Sequence, residues 1–213
     1  MSGSDGRRRC ESRRSVVVWD VDGTLTRGDS LLPFLRRVVG TRPLLATLGR
    51  VLATTAAGPD WRTAAKARLL QRTLGGRPAT EVDQIARRHA TYLLRRVRPD
   101  CLRRWQWHRT QGYRMVLASA SLDVYLRPLG DLLGADDVVC TRMEQVNGRF
   151  TGRMATPDCR GAEKVARVEA ALGGWPAGLV WAYTNGRADA PLRQWAQVSI
   201  PVSSWHLLME VRS

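Results

Sequence analysis

Lysine is almost missing from this chain of 213 residues. Lys66 and Lys164 are the only two among 34 basic residues, the remainder being arginine, so a lysine-rich surface is excluded and each lysine becomes a position to explain. Histidine is scarce too. His89, His108 and His206 lie far apart, which argues against a zinc site. Cys10, Cys101, Cys140 and Cys159 form no CxxC pair, so they read as reduced thiols of a cytoplasmic protein. No apolar run is fit to cross a bilayer, since the best stretch, residues 31–57, is broken by Arg36, Arg37, Arg42 and Arg50. A secretory signal is not expected either: residues 1–14 are polar and basic, and the apolar run at 16–19 is too short. A soluble protein is expected.

What remains is ordinary globular material. With 44% hydrophobic and 25% charged residues, the chain suits one domain, or one domain with an insertion. The charge balance is unusual, with a formal net charge of +15 and a pI near 11.2. Arginine in such excess follows from a GC-rich codon supply as readily as from an anionic partner: a phosphate substrate, a membrane surface or nucleic acid. Beyond the first residues only 103–109 (RRWQWHR) interleaves bases with aromatics. Dispersed surface arginine is the better account, and no nucleic-acid partner is expected.

Residues 1–14 read as a disordered basic tail. Residues 15–20 then form a short β-branched run ending in an acidic, glycine-containing turn (DVDGT, 20–24), the pattern of a buried strand feeding a loop at its carboxyl end. From 30 to 111 the pattern is helical almost throughout. Apolar stripes begin at Leu31, cover 43–57, and cover 61–74 up to Gly75-Gly76; a fourth helix runs toward Arg95 with Thr80 as N-cap and Asp83 three residues on. Pro99 opens a helix ending near Gly112. Strands then alternate with helices: strand 114–118, helix 122–133, strand 137–141, a hairpin over 146–154 turned by Asn147-Gly148, helix 162–172, and strands 179–183 and 198–202. Such alternation implies a Rossmann-like parallel α/β sheet covered on both faces. The expected division is a core of 15–30 and 99–213 carrying a helical cap, 31–98, inserted after the first strand. Trp105, Trp107, Trp175, Trp181, Trp195 and Trp205 are expected in the core or the cap seam.

Ligands of open α/β sheets sit beyond the carboxyl ends of the strands. Asp20 and Asp22 follow the first strand and Ser119 the second; Lys164 opens a helix after a glycine-containing loop; Asn185 and Asp189 follow the strand ending at Tyr183. A carboxylate nucleophile needs a neighbouring cation before it can meet an anionic phosphoryl group, and Lys164 with Mg²⁺ would supply it. A second carboxyl two residues on suits protonation of the leaving oxygen, then activation of water. A hydroxyl and backbone N–H groups suit the phosphoryl oxygens. An arginine would serve a solvated surface equally well, so a rare lysine at position 164 favours a specific site.

Taken together, these residues resemble the haloacid dehalogenase (HAD) superfamily. Residues 17–26 (VVWDVDGTLT) look like its first motif, 116–121 (VLASAS) its second, 161–164 (GAEK) its third and 183–192 (YTNGRADAPL) its fourth, usually YGDSxxDxPML. The order, spacing and helical insertion resemble the phosphoserine-phosphatase-like subfamily IB. Residues 141–164 look like members with a T…G…TG…C.G..K segment. The similarity spans about residues 15–192, but in the cap it is limited to length and helical character.

The resemblance implies a Mg²⁺-dependent phosphatase with a phospho-aspartyl intermediate. Asp20 is implied as the nucleophile and, through its other oxygen, a metal ligand. Asp22 is implied as the acid/base, with its backbone carbonyl on the metal. Ser119, with Ala120 beside it, would hold phosphoryl oxygens; Lys164 would neutralise Asp20 and the phosphate; Asp189 would anchor the metal site or Lys164. One departure matters: the first aspartate of the fourth motif, usually a metal ligand, is Asn185. An amide oxygen still coordinates Mg²⁺, but the site loses a negative charge, so weaker binding is expected. Asp29 stands where phosphoserine phosphatases carry a substrate-reading glutamate, and it serves equally as a helix N-cap. Lys66 and Arg68 are candidates for contacting the rest of the substrate, against the alternative of a solvated helix face. The expected substrate is a small phosphomonoester. The apolar, arginine-bearing residues 31–57 also suit a lipid phosphate and peripheral membrane contact. The competing account is a catalytically weak relative that binds an anionic ligand, a lipid headgroup or nucleic acid. Asn185 and the +15 charge favour it; the intact Asp20 and Lys164 oppose it.

Overall fold

A computed structural model describes residues 15–55, 58, 60–174, 176 and 178–202. The expected basic tail, with Cys10, and the positions of Trp175, Trp205 and His206 lie outside the described residues.

Strand β1 (Val16–Trp19) is wholly buried, as the middle of a parallel sheet must be. It pairs in parallel with β2 (Arg114–Leu122) on one side and β6 (Val180–Thr184) on the other. β3 (Asp137–Thr141) lies beyond β2 and β7 (Val198–Pro201) beyond β6, so the order is β3-β2-β1-β6-β7. Alternation along β1 divides the core. Val16 and Val18 pack toward Val168 of α7 (Ala162–Leu172) and Leu192 of α8 (Ala190–Trp195), while Val17 and Trp19 face the larger cluster on the opposite side. There Trp19 stacks on Tyr183, ring centroids 3.8 Å apart.

Five helices intervene between β1 and the rest of the sheet, and the first four are α1 (Leu31–Val39), α2 (Thr41–Thr54), α3 (Trp61–Leu74) and α4 (Ala79–Leu94). These four form the helical cap. α5 (Pro99–Thr110) buries Cys101 and Trp105 and leads straight into β2. The cap packs on the core chiefly through α4 along α6 (Asp123–Leu133) and α3 on β5 (Arg149–Met154). β5 pairs antiparallel with β4 (Met143–Val146) through a turn whose Asn147 and Gly148 both lie at positive φ, 50° and 71°, as a two-residue hairpin of this hand requires. The fold class is the expected one, a parallel α/β sheet with a helical cap after its first strand. No helix among the described residues is long and apolar enough to cross a membrane.

Three details depart from the sequence expectations. β2 runs on to Leu122 instead of ending near Ala118, because it bulges after Ser119 and rejoins β3 at Thr141. Thr80 does not cap α4. That helix begins at Ala79 after Pro78, and the Ala79 N–H donates to the Gly148 carbonyl at 2.8 Å, so the hairpin satisfies a donor that a side-chain cap would otherwise meet. Trp105 is buried and Trp181 and Trp195 half-buried, but Trp107, two residues round α5 from Trp105, is 39% exposed with the Arg104 guanidinium 4.4 Å from its ring.

Candidate active site

Asp20 emerges from the carboxyl end of β1 and remains 6% exposed. The chain then makes one wide turn over Val21–Leu25, closed by the Thr26 N–H donating to the Val21 carbonyl at 2.9 Å. Gly23 sits in this turn at φ +77°, and a Cβ there would come within 2.9 Å of Asn185 Nδ2. The conformation demands glycine, and a side chain there would also displace the Asn185 amide. Lys164, from the first turn of α7, donates to Asp20 Oδ1 at 2.9 Å and to Asp189 Oδ1 at 2.6 Å. Thr24 Oγ1 donates to Asp20 Oδ2 at 2.7 Å. Burial pushes the Asp20 carboxyl up to about 6, with Lys164 pulling it down and Asp189 adding to the rise. Burial alone would lower Lys164, but the two carboxylates hold it above the ordinary lysine value. At neutral pH this is a buried ionic triad.

Asp22 meets different partners. Its Oδ1 accepts the Ser30 N–H at 2.7 Å, and its Oδ2 accepts from Ser121 Oγ at 2.5 Å and Ser119 Oγ at 3.3 Å. Burial lifts its carboxyl above the usual range, opposed by the Ser121 and Ser30 hydrogen bonds. Ser30 Oγ in turn lies 2.9 Å from Ser121 Oγ and 3.1 Å from the Tyr125 hydroxyl. His89 of α4 completes the chain: its Nε2–H donates to the Ser30 carbonyl at 3.0 Å. Uncharged donors therefore link the cap to Asp22.

Asp20, Asp22, Ser119, Lys164, Asn185 and Asp189 share one cavity of about 400 Å³. Ser119 is not a helix cap, since α6 starts only at Asp123 and Ser119 Oγ accepts the Ser121 N–H at 3.0 Å. Asp29 also reaches the cavity, while its Oδ2 accepts the Leu32 N–H at 2.8 Å. It therefore caps the first turn of α1. Lys66 crosses from cap to core, donating to the Ala120 carbonyl at 2.5 Å, to Asp158 Oδ1 at 2.5 Å and to Thr141 Oγ1 at 3.2 Å. Arg68 does not join them. Two residues on from Lys66, it lies about 200° round the helix, donates to the Thr54 carbonyl and to Thr55 Oγ1, and lines a separate cavity beside β5.

The side-chain oxygens that would serve a hard cation here are those of the Asp20 carboxylate and the Asn185 amide, with the Asp22 backbone carbonyl implied by the resemblance. Asn185 Nδ2 donates to the Gly23 carbonyl at 2.5 Å, which leaves Oδ1 as its free atom. An all-oxygen set with one carboxylate fits Mg²⁺, which uses few protein ligands and retains waters. No group of three or more His, Cys, Asp or Glu side chains placed to hold a metal occurs among the described residues.

Several contributors were not singled out in the sequence. Thr24 and Ser121 stand inside motifs, where Asp20 and Ser119 carry the stronger signal. Ser30, His89 and Tyr125 carry no local signal, and only the fold brings Asp158 beside Lys66.

The family model for haloacid dehalogenase-like hydrolases matches residues 17–194. The protein CicA of Caulobacter vibrioides is 33% identical over 161 residues, which cover 74% of this chain and 72% of CicA. Phosphoserine phosphatase SerB2 of Mycobacterium tuberculosis is 29% identical over 204 residues, 93% of this chain but only 46% of SerB2. Among solved structures, a protein of unknown function from Bordetella pertussis Tohama I superposes with a TM-score of 0.71 at 21% identity, covering 89% of this chain and 90% of that one. That likeness speaks for the fold.

Proposed function

We infer the reaction from one premise: the chain belongs to the haloacid dehalogenase-like hydrolases. It is a phosphatase, acting on small phosphomonoesters through a phospho-aspartyl intermediate on Asp20. The observation that carries this is the pairing of two unlike carboxyls in one cavity, Asp20 against Lys164 and Asp22 against neutral donors.

Lys164 keeps Asp20 ionised and offers positive charge to the incoming phosphoryl group. An Asp20 oxygen bonds to phosphorus as the bond from phosphorus to the alcohol oxygen breaks, and Asp22 passes a proton to that leaving oxygen. Asp22 then takes a proton from water, whose oxygen displaces Asp20 and releases inorganic phosphate. Ser119 and the backbone at Ala120 hold phosphoryl oxygens during both steps. Asp189 anchors Lys164. Mg²⁺, held by Asp20, the Asp22 carbonyl and Asn185, would let two anions approach each other. With one carboxylate fewer than the usual motif, this site binds Mg²⁺ more weakly. The cap, residues 31–98, excludes bulk water while the first step proceeds. Buried, free Cys101, Cys140 and Cys159 agree with a reducing, cytoplasmic setting.

Phosphate release from a panel of phosphomonoesters tests this, with wild type and Asp20→Asn assayed with and without Mg²⁺. Mg²⁺-dependent release by the wild type alone is expected. Equal background rates for both proteins would leave the second account, a weak or inactive relative that binds an anionic ligand. A lipid phosphate is the narrower substrate proposal. Leu45 and Leu52 of α2 are exposed on the helix that also carries the exposed Arg42 and Arg50, a surface suited to an anionic bilayer. Stimulation of turnover by anionic vesicles is expected, and indifference to them would remove the lipid proposal.

A further inference from the structure

The charged groups lining the cavity do not balance one another. Each carboxylate already has a donor within the protein. Asp20 and Asp189 share Lys164, Asp158 is paired with Lys66, Asp22 accepts from Ser30, Ser119 and Ser121, and Asp29 accepts the Leu32 N–H. Of the four cationic side chains, Lys164 and Lys66 are consumed in those pairs. The other two are not. Arg62, in the first turn of cap helix α3, and Arg160, in the core loop before α7, line the same cavity, and neither guanidinium has a hydrogen bond or ion pair to a described residue. Arg62 has only the ring of its neighbour Trp61 near it, 5.5 Å away.

We propose that Arg62 and Arg160 read a second anionic group on the leaving alcohol, so the substrate is a phosphomonoester carrying a further phosphate or carboxylate. This rests on the phosphatase account of the same site. The phosphoryl group to be cleaved is met by Ser119, Ala120 and Lys164. The distal anion is met by two guanidiniums that present planar, paired donors suited to phosphate or carboxylate. The two arginines come from opposite sides of the cleft. An anion between them cancels their mutual repulsion and draws cap and core together, so recognition of the distal group and closure are one event. An ammonium group gains less here. The only candidate acid reader, Asp29, already gives one oxygen to the α1 backbone, and two unpaired guanidiniums repel a cation.

The test compares kcat/KM for esters of one small alcohol scaffold whose distal group is a hydroxyl, an ammonium-carboxylate pair, a carboxylate or a second phosphate, using the full chain. Wild type is expected to prefer the second-phosphate or carboxylate ester over the hydroxyl ester by tenfold or more. Arg62→Ala and Arg160→Ala should each cut that ratio at least threefold, and the double variant should bring it near one. Because each ratio is taken within one protein, a general loss of activity cancels. A wild-type ratio near one, or an unchanged ratio in the double variant, would overturn the proposal while the phosphatase account stands. Equilibrium binding of the same esters to Asp20→Asn separates the two failures. Arginine-dependent preference in binding, without turnover of any ester by the wild type, would sink the phosphatase account and retain the anion-reading pair. Preference for the hydroxyl or ammonium ester in both assays would sink the pair.

Discussion

Asp20 and Asp22 are two residues apart, the first buried and the second half-buried, and held in opposite ways. Asp20 lies in an ionic half of the cavity, with Lys164 between it and Asp189. Asp22 lies in an uncharged half, held by three serines through two hydroxyls of β2 and one backbone N–H. The difference teaches why one residue type can fill two roles. A cation beside the first carboxyl favours the anion ready to attack, whereas burial lifts the second above the usual carboxylate range, against the pull of its hydroxyl and N–H donors, toward what a general acid needs. The wide turn over Val21–Leu25 makes this possible by setting the two carboxyls against different walls.

Lys164→Met should break the ionic half most severely. It strands Asp20 and Asp189 as buried, uncompensated charges, so denaturant unfolding should report a loss of about 3–5 kcal/mol, and turnover should fall by about 10³-fold. Asp22→Asn attacks the other half and should leave the fold intact. Its cost should be about 10²–10⁴-fold with alkyl esters, and far less with p-nitrophenyl phosphate, whose leaving group needs no proton; equal losses for both ester types would contradict the acid role.

Acid should also reach the uncharged half through His89. Burial, with Arg37 adding to it, pushes this imidazole from an ordinary 6.5 down to about 4, and burial takes His108 down to about 3. The unfolded chain therefore binds more protons than the folded one between those values. The folded state has its full stability above pH 6.5 and loses it as pH falls toward 4, by up to roughly 3 kcal/mol for His89. His89→Gln, measured by thermal melts across this range, should flatten the fall relative to wild type. A parallel fall would remove His89 from the network. The smallest effect is expected at the edge of the ionic half. Asn185→Asp should tighten Mg²⁺ by about tenfold through the added charge, while apo stability drops slightly because the bond to the Gly23 carbonyl is lost; unchanged Mg²⁺ affinity would mean that Asn185 does not face the metal.

The ionic half was legible in the sequence and the uncharged half was not. Asp20, Lys164 and Asp189 announce themselves because a buried charge at a strand end has few uses, and a lysine in an arginine-rich chain is conspicuous. Ser30, Ser121, Tyr125 and His89 are common residues whose meaning lies in who meets whom across 59 to 95 positions of chain. The same limit applies at the cap. Lys66 was a candidate, but its partner Asp158 is named only by the packing of α3 on the hairpin, and the exclusion of Arg68 follows from the turn of the helix. The sheet itself was easily legible, since β-branched runs separated by helical stripes admit few other folds. Where an element end carries no local signal, as at Ala79, a tertiary contact replaces the capping residue.

The central claim is that Asp20 carries the phosphoryl group between substrate and water. Asp22→Asn protein, mixed with a p-nitrophenyl phosphate substrate and Mg²⁺ and quenched in acid, tests it most directly by peptide mass spectrometry. The first step needs no acid with this ester, while the second is slowed, so one phosphoryl group should accumulate on the peptide containing Asp20. The Asp20→Asn, Asp22→Asn double variant should show none. Turnover of the ester with no phosphoryl group on Asp20, or a label on another residue, would contradict the account.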